Sequence, residues 1–299
     1  MDQAIGLRNR ASYSDTTQET ANKNLNYDST TTSPLRVFAI TSGKGGVGKS
    51  NIVINLALAF DQMGKNVLII DGDLGLANID VLLGLTPKYN IHHVFEGVRT
   101  INDILLDGPG NIKIMPASSG VQELAELQDE QKLFLMEMLE VLEENIDVLL
   151  IDTGAGISDN VIYFNLAAQE KIVVITPEPT SLTDAYAMIK VLHTRYGERH
   201  FRILVNLVKD NREALNIYNQ ISKVADNFLD GLSLDYLGYV PKDHNLPRAV
   251  MKQQAMLHLY PDSPASQVFP TLAKRLQVTK PGKSDGNIRF FRHRLFSLG

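Results

Sequence analysis

The run Gly43-Lys44-Gly45-Gly46-Val47-Gly48-Lys49-Ser50 constrains this chain more than any other. It fits G-x-x-x-x-G-K-[ST] and lies between an apolar, β-branched run and a helix-like pattern, the context that such a loop needs. Glycines here admit torsions that turn successive N–H groups inward as an anion nest, and the following helix adds the positive end of its dipole. In this reading Lys49 reaches the β- and γ-phosphates of a nucleotide and the Ser50 hydroxyl ligates Mg²⁺. The alternative is a glycine-rich turn that merely joins strand to helix. The agreement of strand, loop and helix speaks against it.

The alternation continues along the chain. Short apolar runs fall at Val37–Thr41, Val67–Asp71, Ile112–Met115, Val148–Asp152, Ile172–Thr176, Ile203–Leu207 and Tyr236–Val240. Helical patterns lie between them at Asn51–Met63, Gln122–Glu144, Thr180–Tyr196 and Glu213–Phe228. Several runs are apolar throughout, as expected of strands buried on both faces. The pattern predicts an α/β fold, with a mostly parallel central sheet and helices on both faces. Ligands of such sheets sit beyond the carboxyl ends of the strands.

Carboxylates fall at that edge. The second run leads into Asp71-Gly72-Asp73, and either acid is placed to orient water or approach Mg²⁺. Asp73, two residues beyond the strand end, can face the γ-phosphate as a water-positioning or general-base group. The apolar run Leu149-Leu150-Ile151 ends in Asp152, the Walker B pattern that holds Mg²⁺ directly or through water. Each acid alone would also serve as a helix cap or turn former. Lys44 is a second cation close to Lys49, awkward unless phosphate charge lies nearby. One use for it is to reach a nucleotide bound by a neighbouring subunit, as an arginine finger does in trans; an ordinary solvated lysine is the other reading.

Composition excludes several classes. The 299 residues include no cysteine, which removes disulfide scaffolds, thiolate zinc sites, cysteine-ligated clusters and cysteine nucleophiles. With 29 basic and 34 acidic residues the net charge is −5, which argues against whole-molecule attraction to nucleic acid. No stretch approaches a membrane span and the start lacks a secretory apolar core, so the expectation is a soluble intracellular protein.

The chain divides into an N-terminal piece (1–10), a polar linker (11–35), the main body (36–277), a second linker (278–287) and a tail (288–299). In the tail Ile288, Phe291, Leu295 and Leu298 recur at helical spacing, and Phe290 and Phe296 broaden the apolar side. With Arg289, His293 and Arg294 mostly opposite, this reads as a short basic amphipathic helix suited to an anionic membrane surface. A helix docked on the protein's own body is the alternative.

The segments KGGVGKS (44–50), DGDLGLANIDVLLG (71–84) and DTGAG (152–156) resemble the MinD/ParA group of deviant-Walker P-loop ATPases, from about Arg36 to Gln277. The resemblance implies a P-loop NTPase fold, ATP and Mg²⁺ as ligands, and an ATP-dependent homodimer that sandwiches both nucleotides. It implies that residues 43–50 hold phosphate, with Lys44 on the partner's phosphates and Ser50 on Mg²⁺. Asp73 becomes the switch I residue that positions water, and Asp152 the switch II acid. Asn206 takes the position that reads adenine. Asp210 follows Asn206 at +4 rather than the +3 of a guanine-reading motif, which favours ATP. Val240-Pro241-Lys242-Asp243 resembles the family's loop at the nucleotide edge.

Within that group Asp2, Gln3 and Ala4, followed by Leu7 and Arg8, resemble the N-terminal segment of the flagellar number regulators, the FlhG (FleN) branch. There the segment stimulates the SRP-type GTPase FlhF. The implied partners are FlhF, anionic membrane lipid, and flagellar basal-body proteins or a flagellar transcriptional activator, with no direct nucleic acid. The implied location is cytoplasmic, reversibly at the cytoplasmic face of the inner membrane. The rival branches are division-site regulators of the MinD type and DNA-partition ATPases of the ParA type. His92-His93 lacks the spacing of a metal site, and Met188 and Met251 read as packing residues.

Overall fold

The computed structural model describes residues 35–117, 127–142 and 145–278. The motif at Asp2, Gln3, Ala4, Leu7 and Arg8, and the tail positions Ile288, Phe290, Phe291, Leu295, Phe296 and Leu298, lie outside the described residues.

The chain opens with β1 (Arg36–Ser42), α1 (Lys49–Asp61) and β2 (Val67–Gly72). Short helices follow, α2 (Ile79–Leu83), α3 (Ile91–Phe95) and α4 (Ile101–Ile104), then a hairpin of β3 (Leu106–Asp107) and β4 (Lys113–Met115). Next come α5 (Asp129–Leu142), β5 (Val148–Ala155), α6 (Asp159–Ala167), β6 (Glu170–Ile175), α7 (Pro179–Tyr196), β7 (His200–Val208), α8 (Asn211–Phe228) and β8 (Ser233–Pro241). The last helices are α9 (Asn245–Met251), α10 (Met256–Leu259) and α11 (Phe269–Val278).

Among the described residues one eight-stranded sheet runs β3-β4-β2-β5-β1-β6-β7-β8, parallel except for the β3–β4 pair. The chain leaves β1 for β2 on one side and later lays β6 on the other, so the carboxyl end of β1 is a topological switch point. β1, β2, β5 and β6 are buried almost throughout because helices cover both faces. On one face α1 and α11 pack over Phe38, Ile40, Ile172, Val174 and Leu204. On the other, α5 and α6 cover Val37, Ala39, Leu149 and Ile151, and α7 with α8 covers Val173, Ile175, Ile203 and Val205. α1 is buried along Ile52–Phe60, which fits a helix carrying apolar residues all round.

All seven expected strands are present, and β3 is an addition too short to show a period. The helix expected from Gln122 begins at Asp129, with residues 122–126 outside the described set. α6 was not expected. Asn160–Asn165 are all buried, so it shows no polar face and no 3.6-residue alternation.

Charge is buried at the amino end of the sheet. Glu170, 6% exposed, joins Arg36 of β1 and lies 2.6 Å from Arg202 of β7. Arg36 also donates to the Gln277 carbonyl (3.4 Å), tying the end of α11 to the sheet. Removing one partner of a buried charge cluster strands the others. Glu170→Ala is therefore expected to cost about 3–5 kcal/mol of stability, read as a lowered urea midpoint.

Candidate nucleotide-binding site

The loop from Gly43 to Gly48 leaves β1 and feeds straight into α1, and its shape follows from two close approaches. A Cβ on Gly43 would fall 2.1 Å from the Asp184 carbonyl carbon, so the loop lies directly against the backbone of α7. Gly48 has φ 92°, and a Cβ there would meet the Asn206 amide at 2.6 Å. Gly48 is also the N-cap of α1 and supplies no side-chain cap, so the first-turn N–H groups face the loop. An uncapped helix start with its dipole behind it suits an anion.

Lys49, the first residue of α1, sends its amine back across the loop to donate to Ser42 Oγ (3.0 Å). Ser42 in turn donates to the Lys44 carbonyl (2.8 Å), so the loop is braced from inside. Burial lowers the Lys49 pKa, while the charges of Asp152 and Asp73 oppose the shift. Those three side chains form one electrostatic unit.

Asp152 sits on β5, 2% exposed. Burial pushes its carboxyl up to about 6, opposed by a hydrogen bond from Ser50 and by the Lys49 charge. Its Oδ1 is buried with no hydrogen-bond partner. A buried, unsatisfied carboxylate oxygen beside a serine hydroxyl is a hard-oxygen pair, the donor set Mg²⁺ takes when phosphates complete its shell. Asp73 is half-buried beyond β2; burial raises its pKa and Lys49 opposes the rise. Gly154 lies against it, joining the segment after β2 to the segment after β5.

The first acid of that pair has a different job. Asp71, 1% exposed, accepts the backbone N–H groups of Asp73 (3.3 Å), Asn78 (2.8 Å) and Ile79 (3.1 Å). It staples the 73–79 loop to the sheet edge instead of facing the phosphate loop. Burial first, then the Asp152 charge, pushes it up to about 8, against the pull of those three bonds.

Lys44 pairs with Glu178 at the start of α7 and donates to Thr180 Oγ1 (3.0 Å). Sequence reasoning missed this pair. Its signal was an acid at the end of β6 followed by Pro179, on the same edge as the loop. Asn206 is buried at the end of β7, where its amide donates to the Val47 carbonyl (2.8 Å) and accepts from the Leu207 N–H (2.9 Å). A cavity of about 20 Å³ beside it is lined by Gly48, Asn51, Pro241 and Met256. Asp210 caps α8 by accepting the Glu213 N–H (2.9 Å). Buried Asp243 accepts the N–H groups of Asn245 (2.9 Å) and Ala265 (3.2 Å), fixing the loop after β8.

Elsewhere, His93 joins Asn90 in the capping box of α3 and His92 lies 3.4 Å from Glu96. Met188 is on the buried face of α7, as expected. Met251 is not a packing residue: it is 85% exposed at the end of α9, a seven-residue helix with one buried position.

A family model described as ParA, NUBPL iron-transfer P-loop NTPase, matches residues 34–277. The chain belongs to the ParA/MinD family of P-loop NTPases. It is 44% identical to the antiactivator FleN of Pseudomonas aeruginosa, over 88% of this chain and 94% of that protein. It is 34% identical to the flagellum site-determining protein YlxH of Helicobacter pylori, over 80% of each. Among solved structures it resembles the septum site-determining protein MinD complexed with Mg-ADP from Pyrococcus horikoshii, with TM-score 0.67 and 26% identity over 82% of this chain and 96% of that one. Nucleotide hydrolysis is the activity of the family.

The raised carboxyl pKa values carry a sign. Asp71 and Asp152 hold protons in the folded chain at pH values where the unfolded chain has lost them. Their contribution to stability is complete below about pH 4 and is lost as pH rises through about 6 for Asp152 and about 8 for Asp71. Urea unfolding without nucleotide is expected to show stability falling across that window. Asp71→Asn should lower stability at acid pH and flatten the fall between pH 6 and pH 8, because the titrating group is gone. Gly48→Ala should weaken nucleotide binding, measured by equilibrium dialysis, since the added methyl meets Asn206.

Proposed function

We propose that this protein is an ATP-dependent, dimerising, membrane-associating ATPase that regulates flagellar number or placement. The observation that carries the reading is the 44% identity to FleN, named an antiactivator, across nearly all of that protein. YlxH, named for flagellum site determination, supports it at 34%, whereas the MinD of Helicobacter pylori is 29% identical over a similar span. A partition ATPase of the ParA type would need a basic surface for DNA, and the net charge of −5 disfavours it.

In the proposed mechanism the N–H groups of residues 43–50 and the start of α1 cradle the ATP phosphates. Ser50 and Asp152 hold Mg²⁺, which neutralises developing phosphate charge when bound. Asp73 orients the attacking water, and Asp71 sets the position of Asp73 through the loop it staples. Asn206, at the end of β7 beside the α1 start, reads the adenine in this mechanism. Lys44 exchanges its own-chain partners Glu178 and Thr180 for phosphates held by a second copy, so that dimerisation completes each site.

The terminal segments supply the output. Two amphipathic tails (288–299) in one dimer act together through effective concentration, so ATP strengthens membrane attachment by favouring the dimer. Linkage makes the effect reciprocal, with membrane promoting dimerisation. The N-terminal Asp2-Gln3-Ala4 segment stimulates FlhF, and a flagellar transcriptional activator or basal-body protein is the further partner.

Asp73→Ala tests the chemistry: it should bind ATP, hydrolyse it about 100-fold more slowly or worse, and accumulate as a dimer. A variant that stays monomeric with ATP, or hydrolyses at the parent rate, removes Asp73 from the role. Deleting residues 1–10 should abolish stimulation of FlhF GTP hydrolysis while leaving ATP binding intact. Stimulation that survives the deletion contradicts the flagellar reading.

A further inference from the structure

A groove of about 700 Å³ opens at the far corner of the sheet from the nucleotide site, between α11 and the amino halves of β7 and β8. Its β-strand side presents Arg202, Asp235, Tyr236 and Leu237, and its helical wall Thr271, Lys274, Arg275 and Val278. Two of its cations are held in place by the protein. Arg202 lies 2.6 Å from the buried Glu170, and Arg275 donates to the Leu237 carbonyl at 2.7 Å. Guanidinium groups fixed in this way bind phosphate without losing much side-chain freedom. Lys274 adds a flexible third cation on the exposed face of α11, and Asp235 offers an acceptor for hydroxyl hydrogens. Leu237 and Val278 give the same groove an apolar lining.

Phosphate donors beside an apolar surface match a phosphodiester attached to hydrocarbon. Position chooses the source. Val278 is 75% exposed at the last described position of α11, and residues 279–299 continue from it towards the tail read above as membrane-binding. Only the short linker 278–287 separates this groove from the tail in sequence, so a tail bound to membrane keeps the groove within reach of that surface.

We propose that the β7–β8–α11 groove binds the headgroup of an anionic glycerophospholipid, its phosphate on Arg202, Lys274 and Arg275, its glycerol hydroxyls at Asp235 and its first acyl carbons against Leu237 and Val278. The assignment deepens the membrane reading above: the tail supplies attachment, and the groove supplies choice of lipid and orientation of the ATPase body.

The test is calorimetric titration of the full chain with dihexanoyl phosphatidylglycerol below its micelle concentration, beside dihexanoyl phosphatidylcholine and inorganic phosphate. The anionic lipid is expected to bind at least about tenfold more tightly than either control, and Lys274→Glu and Thr271→Trp should each weaken it by about tenfold or more. Both substitutions fall at exposed positions of α11, one reversing charge and the other filling the groove. Three results would each overturn the proposal: no binding of the lipid, equal binding by both variants, or inorganic phosphate binding as tightly as lipid, which marks a free-phosphate site. Deleting 288–299 separates this claim from the tail. Loss of vesicle sedimentation with soluble-lipid binding retained supports both, and unchanged sedimentation sinks the tail reading while the calorimetry still decides the groove.

Discussion

The start of α1 is the constraint from which the rest of the site follows. A helix beginning at Gly48 has no side-chain cap for its first-turn N–H groups, which lie at a partly exposed edge where an anion can meet them. The loop can take that shape only because Gly43 lies against α7 and Gly48 against Asn206, where no side chain fits. Strand β1, at the switch point of the sheet, places this loop beside the edge where the segments after β2 and β5 meet. The site is thus a consequence of topology before it is a consequence of any catalytic residue.

The charges gather beside that loop. Lys49 is half-buried against Ser42, with Asp152 and Asp73 as its counter-charges, and burial raises both acids. Such a cluster is costly on its own, because each charge has given up water for incomplete pairing. Phosphate and Mg²⁺ are the groups that would complete it, the first at Lys49 and the α1 start, the second at Ser50 and the orphaned Asp152 oxygen. Lys44 stands apart from this cluster. Its partners Glu178 and Thr180 lie at the start of α7, on a surface at the same edge as the site. In the proposed mechanism a second copy draws Lys44 away from them, which couples the nucleotide to assembly.

Much of this was legible in residues alone. The order of strands and major helices followed from apolar runs alternating with longer patterns, and the positions of Lys49, Ser50, Asp73 and Asp152 followed from motifs placed at strand ends. What escaped has physical reasons. α6 is buried all round and so shows no amphipathic period. β3 is two residues long. Sequence position singled out Asp73 but left Asp71 open as a second water- or Mg²⁺-facing acid, and only the fold shows Asp71 stapling three backbone N–H groups. The Lys44–Glu178 pair spans 134 positions, beyond any local pattern, and the exposure of Met251 depends on what a short helix happens to leave uncovered. The ladder of Arg36, Glu170 and Arg202 forms across three strands far apart in sequence, beyond any local pattern.

The central claim is that nucleotide state governs assembly through the phosphate loop. Its most direct measurement is light scattering of the full-length protein with Mg²⁺ and either ADP or a slowly hydrolysed ATP analogue, alongside Lys44→Ala. The expected result is a monomer with ADP, a doubling of mass with the ATP analogue, and a Lys44→Ala variant that binds the analogue yet stays monomeric. A parent protein whose mass is the same with both nucleotides, or a Lys44→Ala variant that dimerises like its parent, would contradict it.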